Sequence, residues 1–128
     1  MGSMQILLVE PDVALAQIYR DALEAAGHEV DVVTSAQAAI FAADQHRPDV
    51  VVLELQLAAH NGVEFLYEFR SYPEWQTVPV IVNSVVPPGD VVLEVLWDQL
   101  RISAYHYKPR TKLSALVQSA QDHAAAKV

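Results

Sequence analysis

Val50-Val51-Val52-Leu53-Glu54-Leu55 places four apolar residues in an unbroken row and then a carboxylate. A run without alternation reads as a strand buried on both faces of a parallel sheet. Glu54 falls at its carboxyl end, before Gln56-Leu57-Ala58-Ala59-His60-Asn61-Gly62, a loop closing on glycine. In open α/β sheets ligands bind at that end of the strands. A carboxylate there must face a crevice, because burial without a partner is costly.

Outward from this strand the chain alternates. Gln5–Val9 is a short apolar strand ending at Glu10-Pro11-Asp12. Asp12 is placed to cap a helix whose Leu15, Ile18, Tyr19, Ala22 and Leu23 share one face and which Gly27 stops. Glu29–Val33 alternates polar and apolar, as a half-exposed edge strand does. Thr34 or Ser35 opens a second helix, Ala36 to about Gln45, which Arg47-Pro48-Asp49 breaks. Val63, Phe65, Leu66 and Phe69 predict a third helix, ending before Tyr72-Pro73. Val78–Val82 is the next buried strand and stops at Asn83-Ser84. Pro87-Pro88-Gly89-Asp90 turns into a fourth helix, Val91–Leu100. Ile102–Tyr107 is a fifth strand ending at Lys108-Pro109, and a last helix runs from about Thr111, with Leu113, Leu116, Val117 and Ala120 inward.

Five strands alternating with five helices imply a doubly wound α/β sandwich of three layers. Right-handed crossovers favour the flavodoxin-like (βα)5 order 2-1-3-4-5. That order gathers the carboxyl ends of strands one, three, four and five at one crevice, and those ends carry Glu10, Glu54, Ser84 and Lys108. Each alone has a plain structural explanation, Lys108 neutralising Glu54 or Ser84 ending a strand. Four at four strand ends suit a phosphoryl group with a hard cation: carboxylates for the metal, hydroxyl and ammonium for the phosphoryl oxygens.

Composition narrows the function. With 128 residues and 52% of them apolar, the chain fills a single core. Residues 1–4 read as a start remnant, 5–123 as the domain, and 124–128 as a tail. Sixteen acidic against eight basic residues leave a net charge of −8, which opposes direct nucleic-acid binding. The absence of cysteine excludes disulfides and thiolate metal sites, and no apolar run is long enough for a membrane span. A cytoplasmic protein is expected. His28, His46, His60, His106 and His123 fall on different elements with no i, i+4 pair, which argues against a histidine metal site; His60, beside Glu54, reads as a solvated loop residue.

The chain resembles the receiver domains of bacterial two-component response regulators, from Ile6 to about Ser119. The marks are Ile6-Leu7-Leu8-Val9-Glu10, Asp49 to Glu54 with Gly62 eight residues on, Val78-Pro79-Val80-Ile81 leading to Ser84, and Lys108-Pro109. In that family two acidic residues after the first strand bind magnesium, and an aspartate ending the third accepts phosphate from a histidine kinase. The resemblance implies that Glu54 holds the phosphoacceptor position and that Glu10 and Asp12 form the acidic pocket. Ser84 and Lys108 hold the phosphate-contact positions, and Tyr105 matches an aromatic residue that moves as the domain switches.

Departures fall on the reaction itself. Pro11 occupies the second acidic position and offers no side-chain oxygen. Glu54 is one methylene longer than aspartate, which shifts the carboxylate by about 1.5 Å; misplacement of that order can cost about a hundredfold in rate. Ala58 stands where proline is usual, and Val85 where a small residue leaves room for the phosphoryl donor. The expectation is a degenerate receiver, not an enzyme, with no cofactor and any magnesium held only weakly at Glu10 and Glu54. Glu54 then either imitates a phosphoaspartate, setting an active-like state, or only neutralises Lys108. A phosphorylatable, magnesium-dependent receiver is the alternative. A small flavodoxin-like cofactor binder is a distant one, since Glu10-Pro11-Asp12-Val13-Ala14 lacks the glycines of a phosphate loop.

Val91–Leu100 is apolar nearly all round, more than packing on a sheet requires. Val92, Val95, Leu96 and Trp97 are therefore expected to form a contact surface, on the helix 4–strand 5–helix 5 face that receivers use for dimers and effectors. The partners implied are protein: a second copy, a histidine kinase or an output domain.

Overall fold

The structure is a computed structural model and describes residues 2–58 and 61–124. Five parallel strands form one sheet in the order β2-β1-β3-β4-β5: β1 Gln5–Val9, β2 Glu29–Val33, β3 Val50–Leu53, β4 Val80–Ser84 and β5 Ala104–Tyr107. Among the described residues four α-helices flank it: α1 Val13–Ala25, α2 Ala36–Gln45, α3 Gly62–Ser71 and α4 Leu113–His123. α4 is the last helix of the sequence pattern. The apolar run of β3 is buried at every position, because it lies at the centre with helices above and below.

The two layers divide the core by strand parity. Leu7, Val9, Val51, Leu53, Val80 and Val82 face α2 and α3, where Ala39, Phe65, Leu66 and Phe69 pack. Ile6, Leu8, Val50, Val52 and Ile81 face α1 and α4, where Leu23, Leu116 and Ala120 pack. This is the period of two in a pleated strand. Of the α1 face, Leu23 is buried and Leu15 and Tyr19 are half-buried, while Ile18 lies outward at 50% exposure. Met4 packs with the fold: it is buried, its carbonyl accepts from Glu29 N–H at 2.9 Å, and its own N–H donates to His28 Nδ1 at 3.3 Å.

The fourth helix is the main departure from the pattern. A helix is present within the predicted Val91–Leu100, but it is shorter and wider: Leu93 and Glu94 are α-helical and run into a wide turn, Val95–Gln99, in which Leu100 N–H reaches back to Val95 O at 2.9 Å. β-Branched Val91, Val92 and Val95 weaken helix formation here. Leu96, Leu100 and Ile102 must still reach the core, and Ile102 N–H closes the turn on Leu96 O at 3.0 Å. Arg101 completes it with a φ of 54°, a left-handed conformation unusual without glycine.

Arg70 stitches this corner together. Buried on α3, it donates to Leu100 O at 2.9 Å, Trp75 O at 2.7 Å, Val78 O at 2.8 Å and Arg101 O at 3.2 Å. Burial, with Arg101 nearby, lowers its pKa to about 10, so it keeps its charge at neutral pH. Among the described residues no helix is long and apolar enough to cross a membrane.

Candidate functional site

The loops at the carboxyl edge of the sheet bring Glu10, Glu54, Ser84 and Lys108 into one buried cluster. Parallel pairing sets the stage: β1 lies beside β3, β3 beside β4 and β4 beside β5, so the residues leaving each strand emerge side by side. Gly62 permits the tight return of the β3 loop, since a Cβ there would stand 2.7 Å from Leu55 Cα and 2.8 Å from Glu54 O. Its N–H donates to Leu55 O at 2.8 Å, and Asn61 caps α3 through Glu64 N–H at 2.8 Å.

Glu54 is only 2% exposed, and four donors converge on its carboxylate. Lys108 Nζ donates to Oε1 at 2.6 Å and Val85 N–H to the same oxygen at 3.1 Å. Gln56 N–H donates to Oε2 at 3.0 Å, and the Ser84 hydroxyl donates to Oε2 in a short contact. Burial pushes the Glu54 carboxyl up, but the bonds from Gln56, Lys108, Ser84 and Val85 outweigh it and hold it below its ordinary value. Ser84 is fully buried and its oxygen accepts from Val86 N–H at 3.0 Å.

Lys108 spans the two carboxylates, with Nζ 2.5 Å from Glu10 Oε1 and 2.6 Å from Glu54 Oε1. Burial would lower its pKa, but the hydrogen bonds to Glu10 and Glu54 raise it instead. One ammonium thus sits between two carboxylates that are both nearly inaccessible. The second Glu10 oxygen accepts from Asp12 N–H at 3.0 Å. Asp12 itself is exposed, and its carboxylate caps α1 by accepting from Leu15 N–H at 3.0 Å. Asp12 therefore joins the site through its backbone, with its side chain committed to the helix.

Tyr105, from β5, packs half-buried against the α2–α3 side of the core, and its hydroxyl donates to Val86 O at 2.6 Å. Burial and the Glu54 charge raise its pKa. Ser84, Val85 and Val86 are thus held from both ends, by Glu54 and by Tyr105. Val85 turns its N–H toward Glu54 and leaves the residue 43% exposed at the mouth of the site.

The profile of the response regulator receiver domain family matches residues 6–121. The chain belongs to that family. Receivers are signalling domains of two-component systems, and the fold and the order 2-1-3-4-5 are theirs. The chain is similar to the KDP operon transcriptional regulatory protein KdpE of Escherichia coli, at 35% identity over 62% of this chain and 34% of that protein. It is similar to the polar-differentiation response regulator DivK of Brucella anthropi, at 29% identity over 66% of this chain and 70% of that protein. Among solved structures, a sensor protein from Polaromonas sp. JS666 superposes with a TM-score of 0.84 at 24% identity, over 93% of this chain and 94% of that one. The match spans about a third of the length of the KDP regulator.

Of the apolar residues expected at a contact surface, Val92 and Trp97 are exposed, at 64% and 42%, and Val95 is half-buried. Leu96 is not at the surface: it is 1% exposed, because the wide turn points it into the core beside Leu100 and Ile102. Leu93 and Val85 extend the exposed set. His60, expected to be a solvated loop residue, lies outside the described residues. His28 and His106 are structural: His28 Nε2 meets Gln121 Oε1 at 3.1 Å, and His106 Nε2 meets Ser119 Oγ at 2.7 Å. Arg70 was not singled out by sequence, since an arginine within a helix is usually a solvated one.

Proposed function

We propose that this receiver is permanently set: Glu54 does in place what a phosphorylated acceptor would do, and the domain acts through protein contact without phosphotransfer. The observation that carries this reading is the set of four donors already engaged by the Glu54 carboxylate. The hydroxyl and the ammonium that the family turns toward a phosphoryl group are spent on Glu54. The engagement of Ser84 and Tyr105 supports the imitation of a phosphorylated state over a bare Glu54–Lys108 salt bridge.

The residues do not fit a divalent cation. Pro11 brings no side-chain oxygen, Asp12 accepts from Leu15 N–H, and Lys108 bridges the Glu10 and Glu54 carboxylates. Holding magnesium there would require displacing a buried ammonium from two ion pairs. No catalytic role is assigned to any residue.

Intact mass after incubation with acetyl phosphate and magnesium tests the reading. The expected result is an unchanged mass for the parent and an added phosphate once Pro11→Asp and Glu54→Asp are combined. A phosphate on Glu54 of the parent would overturn it. The partner is placed on the exposed face formed by Val92, Leu93 and Trp97, and a second copy, a histidine kinase or an output domain all fit its apolar character. Sedimentation of Trp97→Ala against the parent tests that face, and unchanged association counts against it.

A further inference from the structure

Between α2 and α3 lies a groove of about 820 Å³, lined by none of Val92, Leu93 and Trp97. Its floor is Phe65 and Trp75, both buried, and its walls include Phe41, 68% exposed, and Tyr72, 38% exposed. Phe69 stacks on Trp75 with ring centroids 5.0 Å apart, and Tyr72 tilts onto it at 4.9 Å, so the aromatic floor is rigid. Phe41 is a large apolar side chain left outward on α2, and no packing within the fold requires it there.

The charged residues lining the groove are Asp44, Glu64, Glu68 and Glu74, with no lysine, arginine or histidine among the lining. Glu68 is oriented by Tyr72, whose hydroxyl donates to Oε2 at 3.4 Å. Arg47 stands at one end, its Nε on the backbone carbonyl of Glu74 at 3.3 Å. Aromatic walls with an anionic rim complement one kind of occupant: apolar side chains flanked by lysine or arginine, whose cations pair with the rim and stack on exposed rings. A polyanion is excluded by the same charges.

We propose that this groove docks a basic, amphipathic segment of a partner protein, seating an apolar anchor against Phe41, Tyr72 and Trp75 while its cations meet Asp44, Glu68 and Glu74. It is separate from the Glu54 site and does not depend on whether Glu54 is phosphorylated. The anchor binds by burying aromatic surface, and the rim sets the sign of the ligand.

The test uses a helical model peptide with lysines flanking a leucine and tryptophan stripe, and its counterpart with glutamate for lysine, titrated into the labelled full chain. Backbone amide shifts are expected to concentrate in residues 36–44 and 64–75 with the basic peptide and to be absent with the acidic one. Phe41→Ala, at an exposed position that the fold does not need, is expected to weaken binding by roughly tenfold. Asp44→Lys with Glu68→Lys should weaken it at least as much. Asp21→Lys with Asp122→Lys changes the net charge equally at a distance and is expected to leave the affinity within about twofold. Equal weakening by the two charge-reversed pairs would reduce the binding to general attraction by a chain of net charge −8 and overturn the proposal. Shifts centred on Val92 and Trp97, or free arginine binding as tightly as the peptide, would overturn it too.

Discussion

The Glu54 site and the Val91–Arg101 segment sit at the same end of the chain's logic, both following buried strands, yet they are finished to opposite degrees. At Glu54 every acceptor is met: two N–H groups, a hydroxyl and an ammonium converge on one carboxylate that is 2% exposed. In the Val91–Arg101 segment the backbone makes a wide turn, a non-glycine residue takes a φ of 54°, and Val92, Leu93 and Trp97 remain outside. The first region satisfies itself within one chain. The second leaves apolar surface exposed, which supports the proposal that a partner docks there. Under the proposed permanently set state, the closed site and the exposed apolar segment are compatible in one domain.

The largest expected effect comes from removing the cation of the closed site. Lys108→Met leaves two buried carboxylates side by side and should cost about 3–5 kcal/mol in urea unfolding at neutral pH. Part of that loss should be recovered as pH falls, because one carboxylate can then take up a proton. A loss under about 1 kcal/mol would mean that the pair is solvated. Next comes the clamp on the open segment. Arg70→Met removes four bonds to carbonyls and should cost about 3 kcal/mol, with amide exchange quickening first around Leu96, Leu100 and Ile102.

The pH dependence sharpens the same contrast. The folded-state pKa of Glu54 lies below its ordinary 4.5, so its contribution is fully present above that value and is lost as pH falls through the depressed one. The pKa of Lys108 lies above its ordinary 10.5, so its contribution is present below that value and is lost only as pH rises through the raised one. Between these limits the contribution of Glu54 and Lys108 should be flat. Glu54→Gln should remove the Glu54 part of the acid limb, measured as a smaller fall in melting temperature below pH 4.5. The smallest effect is expected in the turn. Arg101→Gly relieves the left-handed strain and should gain up to about 1 kcal/mol. A loss there would mean that the side chain earns its place by contacts outside the backbone.

The strands were legible because their apolar runs are long relative to their bounds and because proline, glycine and aspartate mark the ends. The meeting of Glu10, Glu54, Ser84 and Lys108 was legible for the same reason, since residues leaving adjacent parallel strands must emerge together. The fourth helix was legible as an element but not in its form. Its apolar residues fit a helical period, but valines at 91, 92 and 95 and the need to seat Leu96, Leu100 and Ile102 in the core shorten it and widen its last turn. Leu96 was misplaced for that reason. Arg70 was hidden because nothing local tells an arginine that clamps carbonyls from one that faces water. The α2–α3 groove was hidden because its walls come from residues about thirty apart, brought together only by how the two helices pack.

The central claim is that Lys108 and Glu54 already fill the site in which receivers hold a metal and a phosphoryl group. Titration with millimolar magnesium, followed on the amides of Gln56 and Val85 that donate to Glu54, tests it most directly. The expected result is no saturable shift at either amide. A saturable shift at both, with loss of the Lys108 contact, would contradict it.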